Sequence, residues 1–524
     1  MSRKRILLIL TISLFIALSS MLWRHLTSPA SQITKSAMST TMSTTAAPGK
    51  TAIVVGAGLA GLSASSQLLS HGLIVHLLER SLKPGGNSIK ASSGINGAPT
   101  PYQSQARTQS QFIPDTAFYS DTVKSAGKTL FATRTKEREE LISTLTNESA
   151  KAIEWLVEEK GVDLSLVAQL GGHSVPRTHR GKGKTPPGAS IVLTLLKQLK
   201  GNPNFHLETG CTVTRVLKEG SVVQGVEFTS AEGEAEGENV KVLKGPVVFA
   251  SGGFGGDANG MLAKYRPDLA GYPSTNEPRP GSQNLLTSVG AQLLDMEQVQ
   301  VHPTSFVDPN DVGNPVKFLA AELLRGEGGL LLDAKGERFV NEMQTRKVVT
   351  DAITSLPEAE GEGPRQWDVR LVLDEGVYAN ASSHVDFYLW KGLMRKTTIS
   401  DLGSEALDTI KKFAAAAAGK KSDPLGRQAF GNWTLADPNP ESVMYVGRVT
   451  PAVHFTMGGV IINERAEVLG ADDENIEGLW AVGEVTGGVH GENRLGGSSL
   501  LECVVFGRIA GDEAARYLRV EEGK

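Results

Sequence analysis

The sequence predicts an α/β fold: a Rossmann-like parallel sheet flanked by helices, with an α+β unit inserted as a cap. Three observations predict it. Thr51–Val55 is a short apolar, β-branched run that feeds into glycines, then a helix-forming stretch, then a second apolar run ending in an acid. The same strand-to-glycine form returns at residues 247–253 and again at 478–484. Finally, His490–Ser499 places a cation just ahead of a glycine-serine turn near the C-terminus, so both ends of the chain hold one ligand.

The first unit is Gly56-Ala57-Gly58-Leu59-Ala60-Gly61, followed by helical composition from Leu62 to His71, a stop at Gly72 and a strand to Glu79. Gly56 permits the tight turn, Gly58 lets backbone approach a pyrophosphate and Gly61 lets helix and strand pack closely. The helix N-terminus faces the phosphates, and Glu79 accepts from ribose hydroxyls. FAD rather than NAD is favoured by the segments beyond Glu79. Gly86, Asn87 and Ser88, then Ser92, Gly94 and Asn96, supply small residues and amides where backbone passes a large ligand. Ala250 and Gly252 return the chain to the adenine-ribose region. Taken singly, each of these segments is equally an ordinary βα turn; together they read as a Rossmann-like FAD-binding domain.

At 524 residues and 40% hydrophobic, the chain can bury a large core and is expected to split into two folded units. A net charge of -4 gives no electrostatic ground for nucleic-acid binding. Cys211 and Cys503 are the only cysteines, which excludes a disulfide framework, haem attachment and iron-sulfur ligation; no metal site is expected. At the N-terminus Arg3-Lys4-Arg5 precedes an apolar run, Ile6 to Trp23, and a Ser/Thr/Ala-rich stretch to about residue 49. This reads as a signal anchor or uncleaved signal peptide, with endoplasmic reticulum membrane or lumen as the expected location. The alternative is a mitochondrial presequence, since no acid precedes Glu79, but the run is apolar all round rather than amphipathic. Sequons at Asn147, Asn380 and Asn432 do not decide between them.

Further motifs come in order along the chain: Val301-His302-Pro303-Thr304, Phe318 to Gly328, Arg338 to Arg346, His454 to Gly459 and Asn493 to Ser499. With the glycine fingerprint, they make residues 50 onward resemble the FAD-dependent fumarate reductase/succinate dehydrogenase family, in particular its single-chain soluble fungal members. The resemblance implies that His302, His454 and Arg494 hold the two carboxylates of fumarate. It implies Arg346 as proton donor, Glu322 and Arg325 as the relay that reprotonates it, and Glu484, Ser499 and Leu500 as C-terminal flavin contacts. Singly, each residue has a plainer reading: a loop or core-edge histidine for His302 and His454, a surface helical pair for Glu322 and Arg325, an ion-paired arginine for Arg346, a turn cap for Arg494.

The chemistry asks for such groups on its own account. Fumarate's alkene is a poor hydride acceptor, so guanidinium and imidazolium donors must neutralise a carboxylate and draw off electron density. An arginine, with a pKa above about 12, serves as an acid only beside a relay that reprotonates it. Glu322 and Arg325, three apart, suit that relay on one helical face. There are departures from the family. Asn87 stands where covalent relatives carry a histidine, so the FAD is expected to be noncovalent. Residues 279–284 replace a Thr-Gly-Asp-Gly segment, and Lys347 replaces an acid after the arginine.

The expected division is 1–49 as targeting segment and linker, 50–298 and 445–524 as the FAD-binding domain, and 299–444 as the cap. Closure of the cap would complete the site. Residues 411–418 read as a cap helix, 233–238 as an acidic hairpin tip, and 172–180 either as a basic lining for anions or as a solvated loop. Expected partners are fumarate and succinate, reduced flavin (FADH2 or FMNH2) or a flavoprotein as donor, and a membrane through residues 6–23. The rival readings are a reductase or dehydrogenase for another unsaturated acid, an amino-acid oxidase, and a noncatalytic flavin scaffold.

Overall fold

The structure, a computed structural model, describes residues 50–104, 115–230 and 240–520. The apolar run at 6–23, the linker to residue 49 and the acidic tip expected at 233–238 lie outside the described residues. Among the described residues no helix is long and apolar enough to cross a membrane.

Thr51–Val55 is β-branched and buried, and it becomes the middle of a sheet in the order Phe205–Thr209, Ile74–Glu79, Thr51–Val55, Val247–Phe249, Asn475–Ala481. These five strands run parallel. Val222–Ser230 joins beyond them and pairs antiparallel with Cys211–Glu219 and Val240–Lys244. The strand signals read at 247–253 and 478–484 therefore mark sequence-distant neighbours of the first strand. Helix Leu59–Ser70 packs against the final helix, Ser498–Val520. Gly507 and Gly511 permit this, because an added Cβ there would lie 2.7 Å from Ala60 O and 2.6 Å from Gln67 Cβ. That packing fastens the C-terminus to the first nucleotide unit.

A second, antiparallel sheet is built from the inserted stretch. Its order is Phe318–Leu319, Val299–Phe306, Val443–Thr456, Val369–Leu373, Leu330–Leu332, with Arg395–Thr398 also on Val443–Thr456. It has hydrophobic cores of its own, one around Leu323, Trp367 and Val449 and another around Ile410 and Phe413. The alanine-rich stretch lies in helix Ala406–Ala417. The 14-residue strand Val443–Thr456 runs across the division expected between residues 444 and 445. Its start pairs within the second sheet and its end carries His454 toward the first. Against it, Val299–Phe306 shifts register between Gln300 and Val301 and again after His302. Such bulges re-aim side chains, here at two residues of the site.

The sequons have a structural use. Asn380 and Asn432 each donate Nδ2 to Glu327 Oε2, at 2.5 and 2.6 Å. A glycan on either amide would break that arrangement.

Gly56 and Gly61 are the tight points of the nucleotide turn. Gly56 has φ +107° and a Cβ there would lie 2.4 Å from Ala250 O; at Gly61 it would lie 1.9 Å from Gly56 O. Gly61→Ala is therefore expected to cost about 1–3 kcal/mol or more through overpacking. Thermal unfolding and flavin content of the purified variant measure it, and both should fall.

Candidate active site

The first nucleotide turn leaves a groove. Gly58, Gly86 and Gly252 line it: an added Cβ would meet nothing nearer than 3.7 Å at Gly58 and 3.6 Å at Gly86, and nothing within 4 Å at Gly252. The helix after Gly58 has no side-chain cap of its own, but Ser88 Oγ accepts from Leu59 N at 3.1 Å. Glu79 braces the turn, accepting from Ala57 N and Ser81 N at 2.8 Å each. An open glycine-lined groove at a helix N-terminus, with an acid behind it, fits a dinucleotide's pyrophosphate and ribose. The residues thus fit FAD.

Other predicted contacts hold the groove's walls. Asn87 Nδ2 donates to Asn276 Oδ1 at 2.5 Å. Ser92 O accepts from His384 Nε2 at 2.8 Å. At Gly94 an added Cβ would lie 2.4 Å from His179 O. Asn96 is engaged by the far end of the chain: Nδ2 donates to Gly496 O at 2.8 Å and to Ser498 Oγ at 3.0 Å. Ala250 is buried beside the Gly56 turn, while Ser499 and Leu500 begin the final helix. Glu484 Oε1 accepts from Thr456 N at 3.0 Å, joining the C-terminal turn to the His454 strand. In the departing segment, Arg279 donates to Ser81 Oγ, and Gln283 is fully buried with neither amide atom partnered among the described residues. Sequence reasoning gave no signal for Gln283, which is a further candidate contact.

The six residues of the predicted anion and proton chemistry come together. Thr345 caps the helix that begins at Arg346, so the guanidinium is held at a helix start. Arg346 Nε donates to Glu322 Oε2 at 2.7 Å, and its Nη2 lies 2.5 Å from the same oxygen. Glu322 Oε1 lies 3.4 Å from Arg325 Nη2 and accepts from Gly171 N at 3.2 Å. All three side chains are buried. Burial pushes the Glu322 carboxyl up, yet Arg346 and Arg325 overcome it and hold it below its ordinary range. Arg325 is drawn down by burial, and its Nε and Nη2 have no hydrogen-bond partner among the described residues.

Gln300 is the joint that sequence reasoning missed. Its Oε1 accepts from Arg346 Nη1 at 2.8 Å, and its Nε2 donates to Arg494 O at 2.8 Å and Asn493 Oδ1 at 3.1 Å. One amide therefore fixes Arg346 relative to the Arg494 segment. The Arg494 guanidinium stacks over Phe455, 4.3 Å from the ring centre, and its Nε is unpartnered among the described residues. His302 and His454 stand edge to face, with centroids 5.3 Å apart. Nδ1 of His454 meets Thr275 Oγ1 at 2.9 Å; Nδ1 of His302 meets Thr304 N at 3.2 Å and Thr304 O at 2.9 Å. Nδ1 of His302 either donates to Thr304 O or accepts from Thr304 N, and only the second tautomer puts the proton on the buried Nε2, which is unpartnered among the described residues.

Both imidazoles are held well below the ordinary histidine range, by burial first and then by arginine neighbours. Both influences favour the neutral imidazole, whereas imidazolium donors are expected from the sequence. One correction concerns residues 172–180, which are no solvated loop. His173, Arg177, His179 and Arg180 are buried. Arg177 pairs with Asp115 and Asp121 at 2.7 Å each and donates to His173 Nδ1 at 2.7 Å; His173 Nε2 then donates to Gly496 O at 3.0 Å. Lys347, the other departure, pairs with Asp351 on the exposed helix face.

Similarity to known proteins agrees with this geometry. A family described as "FAD binding domain" matches residues 51–500. The chain is 45% identical to fumarate reductase 1 of Saccharomyces cerevisiae, over 88% of this chain and 98% of that one. It is 38% identical to the fumarate reductase of Schizosaccharomyces pombe, over 88% and 89%. The open conformation of a flavocytochrome c3 fumarate reductase superposes with a TM-score of 0.67 at 30% identity, over 90% of this chain and 79% of that one.

Glu484 gives a pH prediction. Burial raises its carboxyl to about 7, with Glu502 adding to the effect. A raised acid contributes stability that is complete below its unfolded value of 4.5 and lost as pH rises through about 7. The thermal midpoint of flavin-free Glu484→Gln should accordingly exceed wild type at mildly alkaline pH and match it under acid conditions, as scanning calorimetry would show.

Proposed function

The chain belongs to the FAD-binding family matched above, and we propose that it is a flavin-dependent reductase turning fumarate into succinate with Arg346 as the proton donor. The observation that carries the reading is the continuous set Arg325–Glu322–Arg346–Gln300–Arg494, with His302 and His454 alongside. It joins a proton relay to a carboxylate anchor in one buried place.

Bound and reduced, FAD supplies a hydride. The chain's own residues do the rest. Arg494 and the neutral imidazoles of His302 and His454 hold the carboxylates and stabilise the negative charge that develops on the oxygen next to the reacting carbon. Their low proton affinity keeps the histidines as donors that do not themselves protonate the carbanion, which leaves that task to Arg346. The Arg346 guanidinium passes a proton to carbon; the Glu322 carboxylate, hydrogen-bonded and ion-paired to it, then takes a proton from Arg325 and hands it to Arg346, and Arg325 is recharged from outside the site. Arg325 keeps Glu322 ionised and is the next donor outward. Burial excludes water from all of this. Net, the alkene gains a hydride and a proton.

Two separate donor groups, the Arg494 guanidinium and the paired imidazoles of His302 and His454, suit a dianion better than a monocarboxylate. Free FADH2 or FMNH2 is the proposed donor, since the sequence has only Cys211 and Cys503 to offer iron-sulfur ligation. Residues 6–23 are proposed as an anchor to the endoplasmic reticulum membrane.

Mixing anaerobically reduced, FAD-loaded protein with fumarate should restore the oxidised flavin spectrum and yield succinate. Arg346→Ala should slow this by about 10²–10⁴-fold, the usual contribution of a general acid, with flavin content unchanged. Glu322→Gln should lose about 10²-fold through failed reprotonation, seen as a smaller solvent-proton inventory in kcat than in wild type. Flavin that reduces but is never reoxidised by any unsaturated acid would end the reading.

A further inference from the structure

Behind the Arg494 guanidinium lies a charge pair that the proton relay does not use. The Phe455 ring, which carries Arg494 on one side, meets the His490 imidazole with centroids 5.8 Å apart and planes at 73°. His490 Nε2 lies 2.6 Å from Glu502 Oε2, and each side chain is only 3% exposed. These residues reach one place from three parts of the fold: strand Val443–Thr456, the turn before Arg494, and the first turns of helix Ser498–Val520. The second oxygen of Glu502, Oε1, is buried and has no hydrogen-bond partner among the described residues. A buried carboxylate with an unbonded oxygen is costly unless a nearby charge compensates it. The charged groups facing Arg494 are Arg346, Glu322, Glu484 and Glu502, with His454 beside it.

We propose that the Glu502–His490 pair positions Arg494 and is the counter-charge that keeps it cationic for a substrate carboxylate. It acts through Phe455 and touches neither substrate nor flavin in this assignment. The inference rests on the reading of Arg494 as carboxylate anchor. Burial and Arg346 draw Arg494 down to about 9, and Glu502 leads the groups that oppose them. Removing the Glu502 charge lowers Arg494 further, so the cation is lost at a lower pH.

The test is the pH dependence of KM and kcat for fumarate, measured on the full FAD-loaded chain with dithionite-reduced viologen as donor. In Glu502→Gln the alkaline rise of KM should begin about one pH unit earlier than in wild type, a difference of about tenfold in KM on that limb. The kcat at neutral pH should change far less. Glu502→Asp should restore the wild-type curve. His490→Gln keeps the charge and loses the ring, so it should raise KM at every pH without moving the limb. A Glu502→Gln curve that superposes on wild type, or a loss confined to kcat, overturns the proposal. If Glu502→Gln does not fold or hold FAD, an unchanged KM in His490→Gln overturns it instead. Arg494→Ala separates the two levels: an unchanged KM there defeats the anchor reading itself, whereas a raised KM alongside unaffected Glu502 variants defeats only the counter-charge.

Discussion

The buried Glu322 carboxylate is the constraint on which the rest of the site depends. An ionised acid with almost no exposure is tolerable only if every lone pair is met and opposite charge is at hand. Here Arg346 meets one oxygen twice, and Gly171 N and Arg325 meet the other. Each of those partners must then be held. Arg346 is fixed by the Thr345 cap and by Gln300. Arg325 donates to Glu342 O, inside a further set in which Arg338 and Arg427 clamp the Glu342 side chain. Gly171 cannot be larger, because an added Cβ would lie 2.6 Å from Gln344 O. Removal of either arginine would leave the buried carboxylate short of a partner.

The second organising device is the Gly496–Gly497 turn. It is gripped from one side by Asn96, in the first nucleotide unit, and from the other by His173. The grip on His173 is directional. Arg177 donates to Nδ1, so Nε2 must carry the proton and point to Gly496 O, and burial with Arg177 drives the imidazole down to about 4, which preserves that tautomer. Two aspartates hold Arg177 in turn. Rigid placement of the turn places Arg494, two residues earlier, and Ser498, where the last helix starts.

Much of this was legible in the sequence where the signal is local. Gly56 and Gly61 sit at tight backbone approaches, Gly58 borders open space, and strands around residues 247 and 478 lie where repeated strand-to-glycine patterns put them. His302, Glu322, Arg325, Arg346, His454 and Arg494 sit together because ordered motifs carried them. What escaped was pairing across long separations. Gln300 reads as one polar residue in an apolar strand, and nothing local says that it bridges residues 346 and 494. Residues 172–180 look solvated because they are basic; Asp115 and Asp121, some 60 positions away from Arg177, and Glu327, paired with Arg180, make their burial tolerable. Asn96 reads as a cofactor amide, and its Nδ2 reaches Gly496 O and Ser498 Oγ some 400 residues distant. The protonation state of the histidines escaped for a related reason, since composition carries no information about desolvation.

In the proposed mechanism, neutral imidazoles decide how the labour is divided. A histidinium beside the substrate would compete with Arg346 as acid and would repel Arg346 and Arg494. Arginines close to those histidines disfavour their protonation, which in that mechanism leaves guanidinium as the proton source in line with a relay. The same crowding has a cost at Arg494, whose cation is drawn down by Arg346 and by burial. A site that uses arginine as its acid must therefore concentrate like charges, and must also place carboxylates where they support those charges without reaching the substrate. Glu322 does so on the relay side. On the anchor side one such carboxylate, Glu502, is joined to Arg494 through His490 and the Phe455 ring and acts on the guanidinium through space.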